Sequence, residues 1–360
     1  MSMQKLSAIV VDYRTPDLTK TYVRSSENNF DIIRLILAFI VFFVHSYDLS
    51  HSNDLESLTY FLSSKVAVES FFVISGFLII MSYERSKTLS SYARKRIRRI
   101  YPAYMASLFF FAILLPIIEC TSYGVYTSLS YMKYLAVNAV FLNFITPSIP
   151  GVFENNLIPA VNGAMWTIKI EVMFYVCVPV VAWLCKRSRP ALILLLLYII
   201  GFSYSVLMKN LNWTHAAILA KQLPGQLQFF ASGMALYYFY DKIMASGRLC
   251  LGVVILGFSL HYTGVSDILY PASLALVLCF FAFCLPAINL SKIGDLSYGV
   301  YIVHFPILQA LISLGMFRYS GWGGLLVAIV LVIFGGYLMW HLVEKRFLFK
   351  NSHYLAKPSQ

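Results

Sequence analysis

VAVESFFVISGFLIIMSYERSKTLSSYARKRIRR, residues 66–99, decides the fold. Residues 66–83 are apolar apart from Glu69 and a few serines, whereas the remainder carries Arg85, Lys87, Arg94, Lys95, Arg96, Arg98 and Arg99. A helix needs roughly 20 apolar residues to cross a bilayer, and basic clusters mark the loops that stay in the cytoplasm. This stretch therefore reads as a span descending into the cytoplasm. Working outward, similar apolar runs occupy 32–49, 102–119, 165–184, 190–207, 222–240, 249–264, 269–287, 296–314 and 322–342. Segment 131–147 is a further apolar run, but it carries Lys133, Asn138 and Asn143.

Charge decides whether that last segment crosses. If it does, the Lys186-Arg187-Ser188-Arg189 cluster and Lys345-Arg346 fall outside. If it does not, both clusters fall inside together with Lys242, Arg248 and Lys292, as the positive-inside rule requires. The expected fold is thus an all-α polytopic membrane protein: a bundle of about ten transmembrane helices with both termini cytoplasmic. Segment 131–147 is expected to lie at, or dip into, the outer face. The domain order is a cytoplasmic N-terminal segment 1–29, one membrane domain over 30–347, and a cytoplasmic tail 348–360. The N-terminal segment is polar and has no apolar core, so it does not read as a cleavable signal peptide.

Composition agrees. The chain has 360 residues, of which 59% are hydrophobic and only 12% charged, with a mean hydropathy of +0.72. Soluble chains are about half apolar and about a quarter charged. The net charge of +12 does not imply nucleic acid, because the basic residues sit in short loops between apolar runs. The six cysteines form no CxxC pair and are expected to be small structural hydrophobes. No bound metal is expected.

Titratable groups inside spans are costly and usually face a cavity, a partner or a pathway. Arg34, His45, Glu69, Glu171 and, later, His304 are such groups. Arg34 and His45 are eleven residues apart, which puts them on one helical face and about 16 Å apart along the axis. Counting from the span ends brings Glu69 and Glu171 to about the depth of His45. A carboxylate beside a histidine fixes its tautomer and steadies the imidazolium, which suits a general base. Arg96 and Arg99, three residues apart where a span is expected to begin at Pro102, offer a helical face that suits phosphate; the same charges also serve merely to hold the loop inside.

Five ordered motifs are similar to those of the acyltransferase-3 family of membrane acyltransferases. They are RLILAFIVFFVH (34–45), VAVESFFVISGFLI (66–79), Arg96-x-x-Arg99 before Ile100 and Pro102, MWTIKIEVMFY (165–175) and LSYGVYIVHFPI (296–307). Thr167 stands where the family usually has serine, and Lys169 is unusual. The resemblance implies transfer of an acetyl or other short acyl group from cytoplasmic acyl-CoA to a hydroxyl of a cell-surface or lipid-linked polysaccharide. It implies His45 as the catalytic histidine, as base or acyl carrier, with Glu69 and Glu171 also catalytic. Arg34, Arg96 and Arg99 would hold the donor, while Ser75, Trp166, Tyr298, Tyr301 and His304 are candidates for the oxyanion or substrate. Acetyl-CoA would be a donor substrate rather than a resident cofactor. The partners implied are a glycan or lipid-linked saccharide and the lipid bilayer of a bacterial inner membrane, with no nucleic acid. The rival reading is a transporter or flippase for a lipid-linked saccharide, which predicts paired halves; no internal repeat is evident in the sequence.

Overall fold

The computed structural model describes residues 28–211, 213–288 and 294–349. Most of the expected N-terminal segment, Lys292, and residues 350–360 of the expected tail lie outside the described residues. The described chain is helical, with no strand among the described residues. Where lipid replaces water, backbone polar groups must pair within their own segment, and the helix accomplishes this locally. Six helices are long and apolar enough to cross a membrane: Phe30–Ser50, Ser64–Glu84, Leu89–Ile118, Gly163–Arg187, Pro190–Asn210 and Gly321–Phe347. The other expected spans coincide with shorter helices.

In chain order, α1 is Phe30–Ser50, α2 Glu56–Phe61, α3 Ser64–Glu84, α4 Leu89–Ile118 and α5 Leu129–Ala139. Next come α6 Trp166–Arg187, α7 Pro190–Asn210, α8 Ala216–Ala220, α9 Leu223–Tyr238 and α10 Tyr240–Ala245. The series ends with α11 Gly247–Tyr262, α12 Tyr270–Phe283, α13 Ser297–Ser313 and α14 Gly321–Leu338. A π-helical turn, Met339–Glu344, extends α14.

One local expectation is revised. The basic segment is not a loop: α4 begins at Leu89, where the Thr88 side chain caps the Ser91 N–H at 3.1 Å, and runs straight through Pro102. Arginine and lysine are good helix formers, so the basic cluster extends the span as a helix of about 45 Å. Segment 131–147 splits into α5 and irregular chain. With 11 residues, α5 is about 16 Å long, roughly half of an apolar bilayer core.

The chain divides into two compact units, the first containing 73–87 and 176–287 and the second 29–72, 88–175 and 288 onward. Segments of α3 and α6 belong to each. In the first unit, Lys186 pairs with Glu84 at 3.1 Å. Asp267 joins the ends of α7 and α11, bonding Lys209 at 2.5 Å and His261 at 2.7 Å. Burial alone would raise the Asp267 pKa, but these two hydrogen bonds and charges lower it below its ordinary value.

The second unit is built around α13, which is buried on nearly every side, including His304 and Gln309. It packs closely on α14, where a Cβ on Gly299 would stand 2.8 Å from the Gly336 carbonyl oxygen. Small residues at such crossings let membrane helices approach closely.

Candidate functional site

Every contact described here lies within the second unit. His45 Nδ1 and His304 Nε2 are 3.0 Å apart, and the two rings stack with centroids at 5.3 Å. Such a bond needs one N–H and one lone pair, so two tautomeric arrangements exist. His304 Nδ1 faces the carbonyls of Val300 and Tyr301 without a well-aligned bond. In one of the two tautomeric arrangements, His304 Nε2 accepts from His45 Nδ1–H. In that arrangement His45 Nε2 carries a lone pair. The ring of Phe305 meets His45 edge-on at 5.7 Å.

A carboxylate beside His45 is the expectation from the sequence; the structure adds a second histidine, His304, at its Nδ1. Glu69 is buried, with Lys65 Nζ 3.8 Å from one oxygen. Phe71, two residues on, meets Tyr301 at 5.6 Å, so Glu69 comes to about the depth of His304 on helical rise. Glu171 lies elsewhere. It accepts a 2.7 Å hydrogen bond from Tyr175, whose ring lies 5.6 Å from the Arg96 guanidinium. Thr167, one turn before Glu171, bonds the Tyr301 hydroxyl at 2.7 Å. Glu171 therefore sits about 6 Å from the Tyr301 level, on the side away from the histidines. The expected common depth holds for His45 and Glu69, not for Glu171.

The three arginines also separate. Arg34 contacts Asp31 at 2.5 Å and Asp295 at 3.0 Å. Arg99 contacts Asp295 at 2.5 Å and Glu344 at 2.7 Å. Asp295 thus clamps α1 and α4 to the start of α13, and the π-helical turn carries Glu344 to the same cluster. Burial raises the Asp295 pKa, but Arg34 and Arg99 outweigh it and hold the carboxyl well below its usual range. Gly294, with φ +94, has no room for a side chain beside the indole of Trp340, which fixes the turn ahead of Asp295. Arg96 is different: it is half-buried and its Nε has no hydrogen-bond partner.

The remaining candidates are placed as follows. Tyr298 donates to the Ile100 carbonyl at 3.1 Å, and the Arg99 guanidinium lies 5.7 Å from its ring. Trp166 is half-buried at the start of α6. Lys169 stands over the Phe144 ring at 4.5 Å. Ser75 belongs to the portion of α3 in the first unit.

Asp295, Glu344 and the pairing role of His304 were missed by sequence reasoning. Asp295 immediately precedes the LSYG motif, and Glu344 is an acidic residue at the end of an apolar run; these were the available signals. Neither spacing reveals a partner on another helix.

The contacts fix helix directions. Arg34 and His45 meet Asp295 and His304 in the same order, so α1 and α13 are parallel. α6 descends from Tyr301 at Thr167 to Arg96 at Tyr175, so α4 is parallel to both. The ion cluster thus lies at one end, and the histidine pair is about 16 Å along from Arg34.

This geometry can be set beside known proteins. The acyltransferase-3 family model, described as an acyltransferase domain, matches residues 27–341. The chain belongs to this family of acyltransferases. It is similar to the O-acetyl transferase of Shigella phage Sf6, 28% identical over 353 residues, covering 91% of this chain and 98% of that protein. It is also similar to nodulation protein 10 of Rhizobium leguminosarum bv. viciae, 25% identical with 88% and 92% covered. No solved structure matches the chain.

Proposed function

We propose that this protein is an O-acetyltransferase of a bacterial inner membrane. It moves an acetyl or other short acyl group from acyl-CoA to a hydroxyl of a cell-surface or lipid-linked polysaccharide. The observation that carries this reading is the pairing of His45 with the buried His304, set along parallel helices from a basic cluster. The O-acetyl transferase of phage Sf6 supports the acetyl group and the oxygen acceptor. Ten spans with both termini cytoplasmic satisfy the positive-inside rule and put the basic end of α4 on the side of the CoA pool.

The donor's phosphates bind at Arg96, whose guanidinium retains hydrogen-bonding capacity, and the pantetheine arm extends toward the histidines. His45 Nε2 removes the proton of the acceptor hydroxyl as its oxygen attacks the thioester carbonyl carbon. The C–O bond forms, the C–S bond breaks, and the CoA thiolate takes the proton from His45. The transient imidazolium donates its Nδ1–H to His304, with the Glu69 carboxylate at similar depth favouring the charge. Tyr301 and Tyr298 are the hydroxyl donors available for the oxyanion. Arg34 and Arg99, already bonded to carboxylates, position the helices.

Arg96 separates this account from a purely topological role for the basic cluster. Arg96→Ala is expected to weaken acetyl-CoA binding about tenfold or more, the loss of one charge-assisted contact. The exposed Arg94→Ala control should leave it unchanged. Calorimetric titration of purified protein checks this; equal affinity in both variants would remove Arg96 from the donor site.

A further inference from the structure

The described residues hold a groove of about 660 Å³ at the far end of α4, lined by Glu119, Thr121, Ser122, Ser128 and Ser130 and closed by the Pro150–Gly151 turn. Its volume falls within the roughly 300–1,000 Å³ typical of ligand sites. Glu119 is 20 residues beyond Arg99, or about 30 Å along the helix. The histidine pair therefore lies between the ion cluster and the groove.

The lining is chemically specific. It contains no lysine or arginine and hence suits neither phosphate nor carboxylate. Glu119 Oε1 has no hydrogen-bond partner. The Ser122 hydroxyl accepts from Gly124 N–H and so keeps its own proton to donate. Thr121 donates to the Pro116 carbonyl and keeps its lone pairs. Such a mixture of donors and acceptors around one carboxylate matches the vicinal hydroxyls of a sugar. Tyr123, 86% exposed on the same helical turn, offers an aromatic face beside it.

The groove is also tied to the histidines. Gly151, with φ +77, comes so close to Thr121 that a Cβ would stand 2.8 Å from its methyl group. The same irregular chain continues to Asn156, which donates to the Gln309 carbonyl at 3.0 Å, and to Asn162, which donates to the Ile302 carbonyl at 2.8 Å. Gln309 lies five residues after His304, about 7.5 Å along α13.

We infer that this groove is a docking subsite for the saccharide chain of the acceptor, holding sugar units beyond the one acetylated. The inference rests on the acetyl-transfer reading above, and the test keeps the two apart. Ser130→Trp fills the groove from an exposed position, and Glu119→Gln removes its charge without changing its size. The probes are acid-released fragments of the producing cell's own polysaccharide, either monosaccharides or octasaccharides and longer. Binding is measured by calorimetry and transfer by acetyl-CoA consumption. Both variants should raise the KM and the Kd for long fragments about tenfold, leaving the KM for acetyl-CoA and for monosaccharides unchanged. Long-fragment binding equal to wild type in both variants overturns the inference, as does an equal loss for fragments of every length. If wild type binds long fragments but transfers nothing to them, the acetyl-transfer reading fails while the groove stands.

Discussion

His45→Ala is expected to lower acyl transfer by about 10²- to 10⁴-fold, the range removed with a general base. The protein should still insert and elute as wild type, because His45 is a half-buried ring whose removal strands no charge. His304 gives the more discriminating result. In the arrangement where His304 Nε2 accepts the His45 Nδ1–H, it holds the tautomer that leaves His45 Nε2 basic. His304→Ala should therefore reduce kcat about 10²-fold, within the same general-base range, with little change in the KM for acetyl-CoA. His304→Gln restores an acceptor oxygen and should recover part of the rate. Its pH–rate profile should differ from wild type, since the base is now oriented by an amide. Steady-state kinetics on the three proteins decides the matter. A kcat for His304→Ala equal to wild type would leave Glu69 as the group that orients His45.

Asp295→Ala should cause the largest loss of stability. The substitution removes the carboxylate shared by Arg34 and Arg99, both largely shielded from solvent. Breaking a buried pair in this way typically costs about 3–5 kcal/mol, because a buried charge is left uncompensated. Thermal unfolding in detergent should show a clear fall in Tm. Asp295→Asn should fall nearly as far, since it keeps the shape and loses the charge. The pH dependence has a definite sign. With its pKa depressed in the folded protein, Asp295 contributes stability above its unfolded value of about 3.9, and that contribution is lost only as pH falls below this toward the folded value. The difference between wild type and Asp295→Asn should thus shrink as pH falls below about 3.9. Unchanged Tm in both variants would return Arg34 and Arg99 to the donor site.

Much of the fold is legible in the sequence because bilayer thickness imposes one length on apolar runs. Every expected span coincides with a helix, and segment 131–147, with Lys133 and two asparagines, forms only a short one. The start of α4 was misplaced because Pro102 resembles a helix beginning; a capping threonine fourteen residues earlier, next to strong helix formers, wins instead. Within the site, the eleven-residue spacing of Arg34 and His45 correctly put both on one face, toward α13. Their partners were not legible. Asp295 and Glu344 sit beside apolar runs as single acidic residues, and only packing brings both to Arg99. His304 was visible as a titratable group in a span, but a histidine paired with another histidine leaves no periodic trace. Depth counted from span ends worked for Glu69 and misjudged Glu171, because α6 places its Thr167, not its glutamate, beside Tyr301.

The central claim is that His45 is the general base for transfer of an acyl group from acetyl-CoA to a saccharide hydroxyl. Purified protein in liposomes, given acetyl-CoA labelled in the acetyl group outside and the producing cell's saccharide within, tests it directly. Wild type should place the label in an alkali-labile ester on the saccharide, with CoA released in equal amount, and His45→Ala should do so at least about 10²-fold more slowly. Label reaching the saccharide equally in both proteins would contradict the account.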